Sequence, residues 1–373
     1  MAVTTHFRRR PQVPGLLVTA TIIVGLIAVL PIIAAVLSGA GGAAKPRSAY
    51  AAAPAGMYAI GVRSEAETDI IQAIAADGAV VEVARVPHLA GYASHGAVSP
   101  DGRFLALVTA DAGKAGRATA SLLTIDLDSG AQRKLISGLD TLQSPVWSPD
   151  SGEIVIRKLS TQDSPVTDVT FVRAALDGST KEIGGLSAVA GGYAIGFDPD
   201  GRFLAVSIDG SGSTLLRDMS PVIPLGNGIT RDWRVSPDGT SIAYIDVDVS
   251  DGLRYLPKLV RLDGDEKGSV SAQSADGSQA LGVAWKPGSA SPLYGTERAA
   301  VSALSAGGVS AQNASSTGFD VPLDYSPDGS ALAVQHWNGT GFDNAGQMEF
   351  QLVRETGRQP LGSLTRFYGW ARH

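Results

Sequence analysis

One tetrapeptide, Ser-Pro-Asp-Gly, recurs along the sequence and constrains the fold more than any other feature. Three copies are unchanged, at residues 99–102, 236–239 and 326–329. Three others are altered, at residues 148–152, 198–201 and 286–288. Successive copies begin 49, 50, 38, 50 and 40 residues apart. A period of about 40–45 residues is what four short strands and their turns require, which is one blade of a β-propeller.

The chemistry of the tetrapeptide favours a tight turn between two strands. Proline presets φ at the second position, Asp bonds nearby backbone amides, and Gly adopts a positive φ. An apolar residue precedes every copy: Val98, Trp147, Phe197, Val235, Trp285 and Tyr325. An alternating apolar run usually follows, as in Ile242–Ile245. The pattern predicts strand, turn and strand, so we interpret the repeat as scaffold.

The two ends of the region 57–373 together complete one further blade. Residues 58–62, 69–74 and 80–84 are predicted strands with no Pro-Asp-Gly strand before them, and the missing strand corresponds to Phe367–Ala371. Joining both ends in one sheet closes the ring and removes exposed edges. We therefore predict an all-β, seven-bladed propeller with a composite closing blade, at about 45 residues per blade. Six blades are the alternative.

The N-terminal segment is predicted to span a membrane. Residues 15–37 contain no charge, and as a helix they would extend about 34 Å. Arg8–Arg10 precede this run, which favours a cytoplasmic basic tail (1–14) and an extracytoplasmic body. Residues 38–56 are predicted to be a flexible Ala/Gly/Pro linker. The alternative is a signal peptide cleaved at 49–51, although that site lies well beyond the apolar run.

The repeat resembles the WD-repeat-like propeller repeat of the TolB family. Residues 146–150, 235–244 and 123–130 carry the resemblance, which extends over about 57–373. The resemblance implies a β-propeller. Such propellers occur as periplasmic partners of envelope proteins, as binding modules, and as the substrate-gating domain of prolyl oligopeptidase-like enzymes. The sequence departs from TolB in its predicted membrane helix and in leaving no region for an additional globular domain.

Catalytic motifs are absent from the sequence. There is no Gly-x-Ser-x-Gly, no His-Glu-x-x-His and no Walker loop, and the lack of cysteine excludes disulfides and thiolate metal sites. Residues 51–373 contain 25 cations and 36 acids, a net charge of −11 that argues against nucleic acid as a partner. We therefore predict a protein that is not an enzyme and uses no cofactor. Asp246, Asp248 and Asp251 are a calcium candidate, with a solvated loop as the alternative.

Binding is predicted on the propeller face that carries the links between blades and the long loops between second and third strands. Those loops are 109–118, 160–168, 246–257 and 337–347. The candidate partner-binding residues in the loops are Arg254, Tyr255, Trp337, Asn338, Phe342 and Asp343, and those around the axial opening are His95, Arg231, Asp232 and Arg366. In the alternative interpretation, Trp337 and Phe342 only pack under their own loop.

These features together predict a membrane-anchored, single-pass protein with its propeller on the periplasmic or extracellular side. Its function is predicted to be non-catalytic, as a protein–protein interaction or envelope scaffold module whose partner lies in or near the membrane. The alternative is a propeller enzyme, or a binder of a small ligand such as a sugar or peptide, that uses the central pocket.

Overall fold

The computed structural model describes residues 48–111, 118–158, 167–263, 268, 270–272, 279–296 and 317–373. Apart from one 3₁₀ turn at Ala49–Ala52, the regular structure in these ranges is all β. The predicted segments 1–14 and 15–37, and most of the linker 38–56, lie outside them. Among the described residues, no helix has the length and apolar character needed to cross a membrane.

The first sheet joins the two ends of the chain. Its strands are β1 (Met57–Ser64), β2 (Thr68–Ala75), β3 (Val80–Pro87) and β26 (Arg366–Arg372), in the order β26-β1-β2-β3. Strand β26 runs antiparallel to β1, with Ala371 opposite Tyr58 and Gly369 opposite Ile60. The predicted pairing of the two ends is therefore confirmed, and it gives both strands a hydrogen-bonded neighbour.

The next eight strands form two successive four-stranded units. Their bounds are β4 (His95–Val98), β5 (Phe104–Asp111), β6 (Thr119–Asp126), β7 (Gln132–Leu139), β8 (Val146–Trp147), β9 (Glu153–Lys158), β10 (Thr167–Ala175) and β11 (Thr180–Val189). A single residue pair, Leu139 opposite Lys158, connects β7 to β9 and merges the two units into one sheet. Each unit otherwise repeats the antiparallel order of the first sheet.

The remaining strands form four further sheets in chain order. Their bounds are β12 (Gly191–Phe197), β13 (Phe203–Asp209), β14 (Gly212–Arg217) and β15 (Ser220–Gly226); β16 (Thr230–Val235), β17 (Ser241–Asp248), β18 (Arg254–Arg261) and β19 (Val270–Ala272); β20 (Ala280–Ala284) and β21 (Leu293–Thr296); and β22 (Phe319–Tyr325), β23 (Ala331–Trp337), β24 (Met348–Arg354) and β25 (Gly357–Pro360). The rest of the sixth predicted blade falls within 297–316, outside the described residues, so the count of seven stays a prediction.

The Ser-Pro-Asp-Gly turns are held by the serine and aspartate side chains. Ser326 Oγ donates to Asp328 Oδ1 at 2.6 Å and accepts from the backbone N–H of Ala331 at 2.9 Å. The same two bonds recur at Ser99 and Ser236 with their own partners. Because these serines are buried, the bond to Oγ satisfies a backbone N–H that water does not reach, and the bond to aspartate orients the hydroxyl. The motif therefore fixes the turn between first and second strands.

Two of the aromatic residues before the motif connect neighbouring sheets. Trp147 Nε1 donates to the carbonyl of Ala97 at 2.8 Å, and Trp285 Nε1 donates to that of Arg234 at 3.1 Å. In both cases the acceptor lies on the first strand of the preceding four-stranded unit. Both indole rings are buried, so apolar packing and a hydrogen bond act at the same contact.

Antiparallel order gives the sheets two distinct ends. We call the end with the Ser-Pro-Asp-Gly turns the turn face. The opposite end carries the links between sheets and the loops between second and third strands, and we call it the connection face. Along each first strand the chain therefore runs from the connection face to the turn face.

Candidate functional site

Seven first strands enclose one cavity. Strands β4, β8, β12, β16, β20, β22 and β26 all contribute to its lining, and its volume is about 860 Å³. This is the size range of a small-molecule pocket. The cavity extends along the strands from the connection face towards the turns, because its lining includes both Leu142 at one end and Pro100 at the other.

Irregular pairing changes the direction of side chains along this lining. Strands β12, β16, β20, β22 and β26 each show a register shift against their neighbour. In β16 the shift places Asp232 at φ 55°, and its Oδ2 accepts from the backbone N–H of Gly282 at 3.0 Å. A bulge leaves a residue unpaired and re-aims its side chain, so these shifts determine which groups face the cavity.

The mouth at the connection face contains two of the predicted residues in contact. Arg366 Nη1 donates to His95 Nδ1 at 3.4 Å. Burial, together with the smaller effect of the Arg366 charge, lowers the pKa of His95 to about 4 against an opposing effect of Asp140. His95 is therefore a neutral acceptor at neutral pH, and the charge at this point of the rim belongs to Arg366.

A buried arginine that the sequence analysis did not single out organises the mouth. Arg157, at the end of β9, is 8% exposed and forms an ion pair with Asp140. It also donates to the carbonyls of Gly192 at 2.6 Å and Leu142 at 2.9 Å. Its guanidinium carbon lies 5.4 Å from the ring centre of Tyr193, a cation–π contact. Arg157 thereby fixes the segment that leads into β8 and the start of β12, which are neighbouring first strands.

Aromatic side chains from two sheets, β16–β19 and β22–β25, meet beside the opening. The Arg231 guanidinium lies 5.9 Å from the Tyr255 ring centre, and the Tyr255 ring lies 6.2 Å from that of Phe342. Phe319, which is buried, contacts Phe342 at 5.2 Å and stacks on Trp337 at 6.3 Å. The structure thus joins four of the predicted residues, Arg231, Tyr255, Phe342 and Trp337, in one row of contacts that also includes Phe319.

The row agrees in part with the alternative interpretation made from the sequence. Trp337 and Phe342 pack on a ring that is 3% exposed, so they support their own loop. Tyr255, Phe342 and Trp337 are each half-buried and keep part of their surface towards solvent. Their role as partner anchors stays a prediction.

The predicted loop 246–257 is shorter in the structure, because β17 continues to Asp248 and β18 begins at Arg254, so Arg254 and Tyr255 lie on a strand. Asn338 and Arg254 are held by local contacts. Asn338 Oδ1 accepts from the backbone N–H of Gln347 at 2.8 Å, and Asp343 is exposed in the same loop. Arg254 forms an ion pair with Asp248, which also accepts from Ser250.

The calcium candidate gains no support from this geometry. Bonds from Ser250, followed by the contribution of Arg254, lower the pKa of Asp248 to about 2. In the ranges described above, which include Asp246 and Asp251, no three His, Asp or Glu side chains are grouped as a metal site.

Exposed apolar side chains concentrate on the connection face, which the sequence analysis did not foresee. Leu142, Ile229, Val249 and Leu253 are 71%, 59%, 73% and 57% exposed, and all lie in links or loops of that face. Tyr92 and Tyr193 are exposed near the same end. Among described residues, the other large exposed apolar side chains are Val80 and Val222, both on outer strands.

Comparison with known proteins establishes the fold. No model of a protein family matches the sequence, and no curated protein matches it. Among solved structures the chain is similar to TolB from Acinetobacter baumannii, with a TM-score of 0.50 and 16% identity; the match covers 85% of this chain and 66% of that one. The chain thus spans about two-thirds of the length of that TolB structure.

Two further structures are similar at lower scores. One is the putative TolB from Agrobacterium tumefaciens, at TM-score 0.45 and 17% identity over 85% of this chain and 92% of that one. The other is a periplasmic gluconolactonase from Pseudomonas aeruginosa, at 0.46 and 16% over 85% and 96%. Identity this low shows the fold alone: the chain is an all-β propeller similar to that of TolB, as the repeat predicted.

The contacts of Arg157 lead to a stability prediction. Replacing it by leucine (Arg157→Leu) leaves the Asp140 carboxylate without its ion pair and two carbonyls without donors. We expect a loss of about 3 kcal/mol in the free energy of unfolding, measured by urea denaturation. The matched control is Arg173→Leu, which removes a more exposed pair with Glu153 and should cost less than about 1 kcal/mol. Equal losses for both variants would contradict the role of Arg157.

Proposed function

We propose that this protein is a non-catalytic docking module that binds a protein partner through its connection face. The observation that carries the proposal is the concentration of exposed apolar side chains there. Scattered exposed apolar residues are normal, whereas a group on one face of a rigid scaffold is typical of an interaction surface. Arg231 and Arg366, around the axial opening, give this face positive charge, whereas the body as a whole has a net negative charge.

The proposed surface has the composition of a protein interface. Leu142, Ile229, Val249 and Leu253 supply apolar area that a partner would remove from water, at about 25 cal/mol per Å². Tyr255 and Trp337 supply half-buried rings, which are frequent energetic centres of interfaces. Because their packing against Phe342 and Phe319 already restricts these rings, little conformational entropy would be lost on binding.

We also propose the location and the full architecture of the molecule. Residues 15–37 anchor the chain in a membrane with the N-terminus in the cytoplasm, and the body lies outside as a seven-bladed ring. This location is supported by the uncharged run and by the preceding arginines. A partner would then belong to the membrane or the adjoining cell envelope.

The docking surface is tested by serine substitutions at its exposed apolar positions. A full-length variant carrying Leu142→Ser, Ile229→Ser, Val249→Ser and Leu253→Ser should capture at least tenfold less partner from solubilised membranes, quantified by mass spectrometry. These positions are exposed, so thermal unfolding should be nearly unchanged. The matched control, Val80→Ser with Val222→Ser, removes exposed apolar groups from outer strands and should capture normally. Equal capture by folded forms of both variants would contradict the proposal.

Membrane topology is tested by protease protection. Protease added outside spheroplasts should digest the propeller and leave a small N-terminal fragment protected, because only residues before and within the span are shielded. Detergent should abolish that protection. A mature protein that begins near Ala52 would instead indicate a cleaved signal peptide and contradict the anchor.

A further inference from the structure

One carboxylate in the cavity has no countercharge in contact with it. Asp324 lies on β22 next to the register shift, and its side chain lines the cavity and is exposed to the space within it. Desolvation by the surrounding strands raises its pKa to about 6 against smaller lowering effects of Arg234 and the backbone N–H of Tyr325. Within the described chain no cation forms an ion pair with it. A carboxylate that its surroundings partly desolvate gains from pairing with a positively charged group.

A cation lies at the same depth of the cavity. Arg234 on β16 and Asp324 on β22 are each the second residue before their turn motif. Both line the cavity, and the two attract each other without forming an ion pair. The same position in the other first strands carries an alanine, valine or glycine: Ala97, Val146, Gly196, Ala284 and Gly369. Opposite charges therefore face a space that small side chains leave open.

We propose that this part of the cavity binds a small zwitterion, such as a free amino acid, with its ammonium group on Asp324 and its carboxylate on Arg234. Arginine presents a planar pair of donors that suits a carboxylate, and an ammonium group supplies the charge that Asp324 lacks. The ligand's two charges would each face a group of opposite sign, and both groups are already held at the cavity wall by their strands. Trp233 and Tyr193, which also line the cavity, offer rings to an apolar substituent.

The site is independent of the proposed docking function. It uses groups inside the cavity, whereas docking uses the exposed rim, so either can fail without the other. Besides Asp324 and Arg234, the charged and titratable side chains that share the lining are His95, Arg157, Arg231, Asp232, Tyr193, Tyr325 and Tyr368. With a pKa of about 4, His95 stays neutral between pH 5 and 8. The pKa of Tyr368 is raised by burial, so it stays protonated over the same range.

The first test is calorimetric titration of the purified full chain with ligands of defined charge. Glycine, β-alanine and γ-aminobutyrate separate the two charges by increasing distances, and L-phenylalanine adds a ring. At pH 8 at least one should bind at least tenfold more tightly than acetate, methylammonium or D-glucose. At pH 5, about one unit below the pKa of Asp324, only about a tenth of the carboxyl is ionised, so affinity should fall about tenfold.

The second test uses variants of the two charges. Asp324→Asn should weaken binding of the best zwitterion at least tenfold and abolish its pH dependence, and Arg234→Met should weaken it similarly while keeping the pH dependence. Glu355→Gln, at an exposed turn, is the matched control and should bind normally. No binding of any zwitterion at 50 mM, tighter binding of glucose, or unchanged affinity in both folded variants would each overturn the proposal. If a variant does not fold, the relative affinities of the ligand series and the pH dependence of wild-type binding decide whether the cavity binds a zwitterion.

Discussion

The pairing of β26 with β1 is the contact on which the rest of the molecule depends. A row of sheets arranged around an axis has two open edges, and unpaired edges expose backbone groups and invite association. Here the last strand of the chain occupies the innermost position of the first sheet, where Tyr368 and Trp370 are buried. The pairing brings together residues about 300 positions apart, so it is the most non-local contact between strands among the described residues.

Closure also creates the cavity. Once β26 joins the other first strands, side chains near the middle of each strand line one shared space. Charges placed there have larger electrostatic consequences than charges on the rim. Asp324 shows this in its raised pKa. The connection face, by contrast, keeps its apolar side chains in water, which suits a macromolecular partner better than a small ligand.

The sequence predicts the fold through local signals and the cavity hardly at all. Turn chemistry at Ser-Pro-Asp-Gly is local, so the repeat, the strand pairs and the shared end sheet could be inferred from spacing. The contacts of Arg157 could not, because it follows Ile154–Ile156 in an ordinary strand and its partners lie in other segments. Arg234 and Asp324 were missed since a register shift decides which residue faces the axis. The row formed by Tyr255, Phe342 and Trp337 was predictable in part. Loop length indicated the region, whereas the packing on Phe319 could not be inferred because Phe319 lies on another strand.

Hydrogen exchange of the β26 amides in the full-length protein tests most directly whether the ends of the chain close the ring. If they do, the amides of Arg366–Arg372 that bond to β1 should be as protected as those in the interior of β5 and β23, and should exchange only through the same global opening. Rapid exchange of β26, at the rate of an unpaired terminus and with β5 and β23 still protected, would contradict closure and with it the cavity that closure forms.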